Sequence, residues 1–124
     1  GLLWTIRLRE GLLFHDGEPV RSRDCVASLK RWMVRDGFGQ ALARAVAAWG
    51  TPDDRTLTIR LHRPFPALLD ALAKPASSPA FIMPERSAAT PPDRPVADMT
   101  GSGPWRFVAG EFVQGSRAVY VRNE

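Results

Sequence analysis

The sequence predicts an α/β fold of the mixed, α+β kind, and three observations predict it. Two runs, "LLWTIRLRE" near the start and "RTLTIRLHR" from Arg55, alternate apolar and polar residues as half-buried strands do. Between them, "SRDCVASLKRWMVRDG" sets Cys25, Val26, Leu29, Trp32 and Met33 at three- and four-residue steps, one apolar stripe along a helix. A last pair of short β-prone runs closes the chain.

In order, the first strand puts Leu2, Trp4, Ile6 and Leu8 on one face and Leu3, Thr5, Arg7 and Arg9 on the other. "GLLFHDGEPV" follows, with Leu13 and Phe14 apolar and then a turn. Asp16 can bond its own backbone and Gly17 accepts positive φ. Ser22 is the expected N-cap of the helix, with Asp24 in the first turn facing the positive dipole end, and Gly37 is expected to stop it. Alanine-rich Gln40–Ala45 favours a second helix, and Val46–Trp49 the entry to a hairpin. "TPDDRT" reads as a turn around Pro52, and the next strand turns Leu57, Ile59 and Leu61 inward. "PFPALLDALAKP" is a short helix with Pro66 in its first turn, Leu68, Leu69 and Leu72 as its buried face, and Pro75 closing it. "SSPAFIMPE" is extended, with a helical turn near Glu85–Ala89. Thr90–Gly103 is a long loop of the kind that is often functional or disordered. Strands around Trp105–Ala109 and Ala118–Arg122, joined by a glycine-containing turn, end the chain.

A chain of 124 residues suits one domain or part of a larger one, and 44% hydrophobic with 24% charged residues is an ordinary globular balance. No apolar run approaches the roughly 20 residues that a membrane-spanning helix needs. Two of the 17 basic residues are lysines, Lys30 and Lys74; the rest are arginines, scattered along the chain and mostly near acids such as Asp24, Asp36 and Asp54. That is a solvated surface, not the clustered basic stripe with aromatics that binds nucleic acid. The single cysteine, Cys25, excludes a disulfide within the chain and leaves too few ligands for a cysteine zinc site. Its place in the helical stripe makes it a buried structural thiol. The chain opens directly on a strand and ends directly after one, with no visible signal peptide, and so reads as an internal piece cut at both ends.

His15, Asp16 and Gly17 side by side suggest catalysis or metal binding, but each has a local structural task. The other histidine, His62, lies on the polar face of a different strand. A nucleophile-elbow pattern is absent from the sequence, and no metal or cofactor is expected. "GSGPWR" lacks the third glycine and the following helix of a dinucleotide-binding turn. Among Trp4, Trp32, Trp49 and Trp105, the last has the best claim to line a pocket, since it follows a glycine turn and a long loop.

"WTIRLREGLLFHDGEPVRSRDCVASLKRW" resembles the signature of the family 5 extracellular solute-binding proteins, the peptide- and nickel-type binding components of ABC transporters. The pattern is matched by Trp4, Thr5, Leu8, Arg9, Gly11, Phe14, His15, Asp16, Gly17, Ser22, Asp24 and Ser28. Cys25 replaces the usual valine. "DDRTLTIRLHRPFPALLDALA" resembles the family's strand, Pro-Phe-Pro and helix. "GSGPWRFVAGEFVQGSRAVYVRNE" resembles its Gly-Thr-Gly-Pro-aromatic strand, with Ser102 in place of threonine.

The resemblance implies that residues 1–124 are one piece of the first lobe of a two-lobed periplasmic-binding-protein-like fold. It implies capture of peptides or similar small solutes by cleft closure, without chemistry, and delivery to an ABC permease from a periplasmic or otherwise extracytoplasmic, membrane-associated position. On this reading His15, Asp16, Gly17, Ser22 and Asp24 are structural. The stretch Lys74–Ala80 approaches the cleft, with Pro75, Ala76, Ser77 and Ser78 as its candidate contacts, and the glycine turn and Trp105 are second candidates. "KPASSPAF" lacks the arginine that some nickel-binding members use, which speaks against a nickel chelate. One alternative is the ligand-sensing domain of a cytoplasmic transcriptional regulator; another is a hydrolase using His15, Asp16 and Ser22. Strands cut from a larger sheet would also invite self-association of the piece.

Overall fold

A computed structural model describes residues 1–75 and 77–124. Its centre is a three-stranded antiparallel sheet. Strand β1 (Leu3–Arg7) pairs with β3 (Thr56–Leu61), which pairs on its other side with β2 (Val46–Asp53), giving the order β1-β3-β2. Ile59 sits opposite Trp4 on one side and Trp49 on the other. The alternation read in the sequence holds: Leu57, Ile59 and Leu61 are at most 2% exposed. Helix α1 (Ser22–Arg35) lies on this face and buries Cys25, Val26, Leu29, Trp32 and Met33, the whole predicted stripe. Each such side chain withdrawn from water contributes roughly 1.5–3 kcal/mol.

The N-cap of α1 is Arg21, not Ser22. The Asp24 carboxylate does the capping, reaching back to accept the Arg21 N–H at 2.7 Å while its other oxygen accepts the Glu85 N–H at 2.8 Å. Ser22 is thereby free to stitch α1 to the turn between β2 and β3. Its N–H donates to the Asp54 carbonyl and its Oγ to the Asp53 carbonyl at 2.6 Å.

Gly37 does not stop α1; it begins α2 (Gly37–Ala43). The break is the extended backbone of Asp36, whose carboxylate caps α2 by accepting the Gly39 N–H at 3.0 Å. The close approach of the two helices needs Gly39, because a Cβ there would lie 2.7 Å from the Met33 Cα. β2 is longer than expected and runs through Pro52. An edge strand tolerates proline, and the register slips between Gly50 and Asp53 to accommodate it.

Helix α3 (Leu68–Ala73) buries Leu68 and Ala71 and half-buries Leu72. Leu69 is 59% exposed, against expectation, because three- and four-residue steps from Leu68 lead to Ala71 and Leu72 and leave Leu69 a quarter-turn away. A short α4 (Glu85–Ala88) packs on α1. The loop from Thr90 is clasped from α1: Arg31 donates to the carbonyls of Thr90 and Arg94, and Arg35 to that of Pro92. Beyond it, β4 (Trp105–Phe107) and β5 (Tyr120–Arg122) form a separate two-stranded sheet. Both strands are shorter than the sequence suggests, since a 3-10 turn at Ala109–Glu111 and the positive-φ Gly115 take up the connection.

Candidate functional site

The segment that follows α3 is held against the junction of α1 and α2. Lys74, at the C-terminal end of α3, forms an ion pair with Asp36, and the two side chains are only 14% and 5% exposed. The Lys74 ammonium also lies 5.9 Å from the ring centres of both Trp32 and Phe38, near enough for a cation–π attraction. Lys74 first, then the Gly39 N–H, holds the Asp36 carboxyl below the usual carboxylate range. Trp32 then fixes the chain further on, its indole N–H donating to the Ser78 carbonyl at 2.6 Å. A reciprocal pair between Ser28 Oγ and the backbone of Met83 pins the far end of the segment.

These contacts leave two adjoining depressions. One, of about 160 Å³, is lined by Trp32, Arg35, Asp36, Ser78, Phe81 and Met83 among others. The other, of about 470 Å³, has His15, Phe81, Met99, Gly103, Trp105 and Tyr120 in its wall. Phe81 belongs to both and is 70% exposed. An aromatic ring that open, between a lysine–carboxylate pair on one side and further aromatics on the other, offers a solute apolar contact and fixed polar anchors together.

Of the residues expected to approach a cleft, Ser78 lines the smaller depression and Trp105, at 60% exposure, the larger. Pro75 and Ser77 are exposed beside them and line neither. Ser77 holds a left-handed backbone (φ +65°), a conformation that costs a residue with a Cβ about 1–2 kcal/mol. Ala76 lies outside the described residues. Sequence reasoning did not single out Asp36, Phe38 or Phe81, and took Lys74 only as the start of the stretch that approaches the cleft. Lys74 is one of two lysines in an arginine-rich chain, a weak signal; Phe81 sat in a run read only as extended.

The His15-Asp16-Gly17 group is a turn. Gly17 has φ +87° and donates to the Phe14 carbonyl, while Phe14 is buried beneath. The His15 ring is engaged by backbone groups of Gly101 and Gly103, and Ser22 Oγ by Asp53. The trio of a hydrolase is therefore not brought together. Arg86 joins Asp16 at 2.5 Å to Asp98 at 3.3 Å. Hydrogen bonding from Thr100 first and Ser87 second holds the Asp98 carboxyl down to about 2. Burial first, then the neighbouring Asp24 charge, pushes the Cys25 thiol up to about 11, so it stays protonated and is a poor nucleophile. Among the described residues, no three histidine, cysteine, aspartate or glutamate side chains are grouped to hold a metal ion.

Known proteins similar in sequence and fold cover nearly all of this chain. A probable peptide ABC transporter periplasmic-binding protein of Sinorhizobium fredii (strain NBRC 101917 / NGR234) is 40% identical over 121 residues, which are 98% of this chain and 22% of that protein. A glutathione-binding protein of Pectobacterium atrosepticum is 31% identical over 112 residues, 88% of this chain and 21% of its own length. Among solved structures, a binding protein of A. tumefaciens R10 in complex with mannopinic acid superposes with a TM-score of 0.78 at 28% identity, covering 98% of this chain and 24% of that one. This chain thus spans about a fifth to a quarter of the length of these relatives. They are named as binding proteins, not enzymes, and none of the three bears the name of a regulator. Residues 1–124 match the bacterial extracellular solute-binding proteins, family 5, middle, from end to end, and the chain belongs to that family.

Proposed function

We propose that residues 1–124 are part of the first lobe of a two-lobed solute-binding component of an ABC importer, working outside the cytoplasmic membrane. It captures peptides or similar small solutes by closure of the lobes and performs no chemistry on them. The observation that carries this reading is the family match over all 124 residues. The local geometry fits it. The 77–83 segment, set against Trp32 and beside the Lys74–Asp36 pair, presents the open ring of Phe81 for contact with a solute. Ser78 and Trp105 stand at its edges, and Pro75, Ala76 and Ser77 complete the sequence candidates for contact. The permease is the macromolecular partner. We further propose that residues 1–124 taken alone self-associate through the edges of β4 and β5 that have no strand partner among the described residues.

Native mass spectrometry of the natural-length protein, purified without denaturation, tests the reading. A retained mass that fragments into amino acids supports peptide capture. A retained sugar or metal chelate keeps solute capture and removes the peptide. Recovery of the protein in the cytoplasmic fraction, rather than on osmotic shock or with membranes, overturns the location and with it the transport role.

A further inference from the structure

We propose that His15 is a positioning residue. As a neutral imidazole with its hydrogen on Nε2, it fastens the Gly101–Gly103 turn to the body of the domain and so sets Trp105 in the wall of the larger depression. Three hydrogen bonds carry this. The His15 N–H donates to the Gly101 carbonyl at 2.8 Å, the Gly101 N–H donates to His15 Nδ1 at 3.2 Å, and His15 Nε2 donates to the Gly103 carbonyl at 3.0 Å.

The chemistry leaves one protonation form. A backbone N–H can only donate, so the Nδ1 that faces it carries no hydrogen. A carbonyl can only accept, so the Nε2 that faces it carries one. An imidazolium would set two N–H groups against each other at Gly101. One side chain thereby joins two backbone groups that lie 86 and 88 positions further along the chain.

The joint sits where the two parts of the molecule meet. On the body side, the ring is anchored by the tight turn over buried Phe14. On the other side, the Gly103 carbonyl is shared with the Asn123 side chain at 3.3 Å, and the Asn123 N–H donates to the Pro104 carbonyl at 2.9 Å, so the end of β5 closes on the same turn. Trp105 follows two residues later. The His15 ring and the Trp105 indole face the same space of about 470 Å³, so loosening the joint moves a wall of the depression. The use of that depression in capture rests on the solute-binding reading; the joint does not.

The test uses the full chain and no solute, so failure of the solute-binding reading leaves it standing. Nitrogen-15 NMR of the unaltered chain is expected to show His15 as the Nε2–H form. The Nδ1–H form, or averaging between the two, overturns the proposal. His15→Phe is then compared with Gly101→Ala. The alanine keeps the N–H, and its Cβ would lie 3.5 Å from His15 Cε1, an ordinary contact. His15→Phe is expected to speed hydrogen exchange of the Gly101 amide about tenfold or more and to shift the Trp105 indole resonance, with the Leu57 and Ile59 amides still protected. Gly101→Ala is expected to do neither. His15→Gln, which can keep a donor near the Nε2 position, is expected to fall between them. A Gly101 amide or a Trp105 signal unmoved in folded His15→Phe overturns the proposal; if that variant does not fold, the tautomer of the unaltered chain decides.

Discussion

The body of the domain and its terminal hairpin are built from similar strand sequences and end in opposite states. In the body, β3 has a paired strand on each side and a helix on its inward face, and Leu57, Ile59 and Leu61 are shut off from water. In the hairpin, β4 and β5 have only each other among the described residues, and Trp105, Phe112, Val113 and Tyr120 are each about half exposed or more. Its internal packing is Phe107 against Phe112 and Tyr120, with ring centres 5.6 Å apart. A two-stranded sheet is marginal by itself in water. The hairpin is held by its joint to the body, whereas the body carries its own core.

The largest effects are therefore expected in the body. Leu57→Ala empties a site that is 1% exposed and is expected to cost about 3–4 kcal/mol in urea unfolding. Tyr120→Ala, at 54% exposure, is expected to cost less than about 1 kcal/mol. Equal losses would break the contrast between the two regions. Next is Gly39→Ala, where the new Cβ must push against the Met33 backbone and not a flexible side-chain tip. A loss of about 1–3 kcal/mol is expected, with the α1–α2 junction and the Lys74–Asp36 pair disturbed first.

Beside the joint, where Asp98 accepts from the Thr100 N–H and the Ser87 hydroxyl, its carboxyl is held down to about 2, below its value in an unfolded chain. Its contribution is fully present above about pH 4 and is lost as the pH falls through about 2. Asp98→Asn is expected to cost about 1 kcal/mol at pH 7, since Arg86 and Asp98 are 54% and 37% exposed and water screens the pair. Thermal melts at pH 7 and pH 2.5 check the sign: the wild-type advantage should shrink at the lower pH. An advantage that grows there would mean that the bonds from Thr100 and Ser87 do not hold the Asp98 carboxylate in the folded chain.

The body was legible because periodicity reports burial. The strand alternation, the α1 stripe and the Asp16-Gly17 turn all appear as read. The errors came where a neighbour outranked a local preference. Ser22 is a good cap, yet the Asp24 carboxylate takes that task and leaves Ser22 to bond Asp53. Gly37 is a natural helix stop, yet Asp36 makes the break and Gly39 is the glycine that packing demands. The candidate site was legible in part. Ser78 and Trp105 line the two depressions, while Lys74, Asp36 and Phe38 meet only through contacts between elements far apart in sequence, which no local pattern encodes.

The smallest effect probes the inner edge of the body. Trp4 sits on β1 opposite Ile59, packed against the core, and its indole Nε1–H is buried with no hydrogen-bond partner among the described residues. Burying an unpaired donor costs about 1–3 kcal/mol, and the larger indole recovers a comparable amount through its extra apolar area. Trp4→Phe removes both at once, so the two contributions should nearly cancel and leave stability within about 1 kcal/mol of wild type. Trp32→Phe has no such compensation, because that indole N–H is spent on the Ser78 carbonyl at 2.6 Å. It should be the more damaging of the two by urea unfolding, and it should release the 77–83 segment while Trp4→Phe leaves it in place. The reverse order would mean that the Trp4 N–H is already satisfied and that the Trp32 bond does not hold the segment.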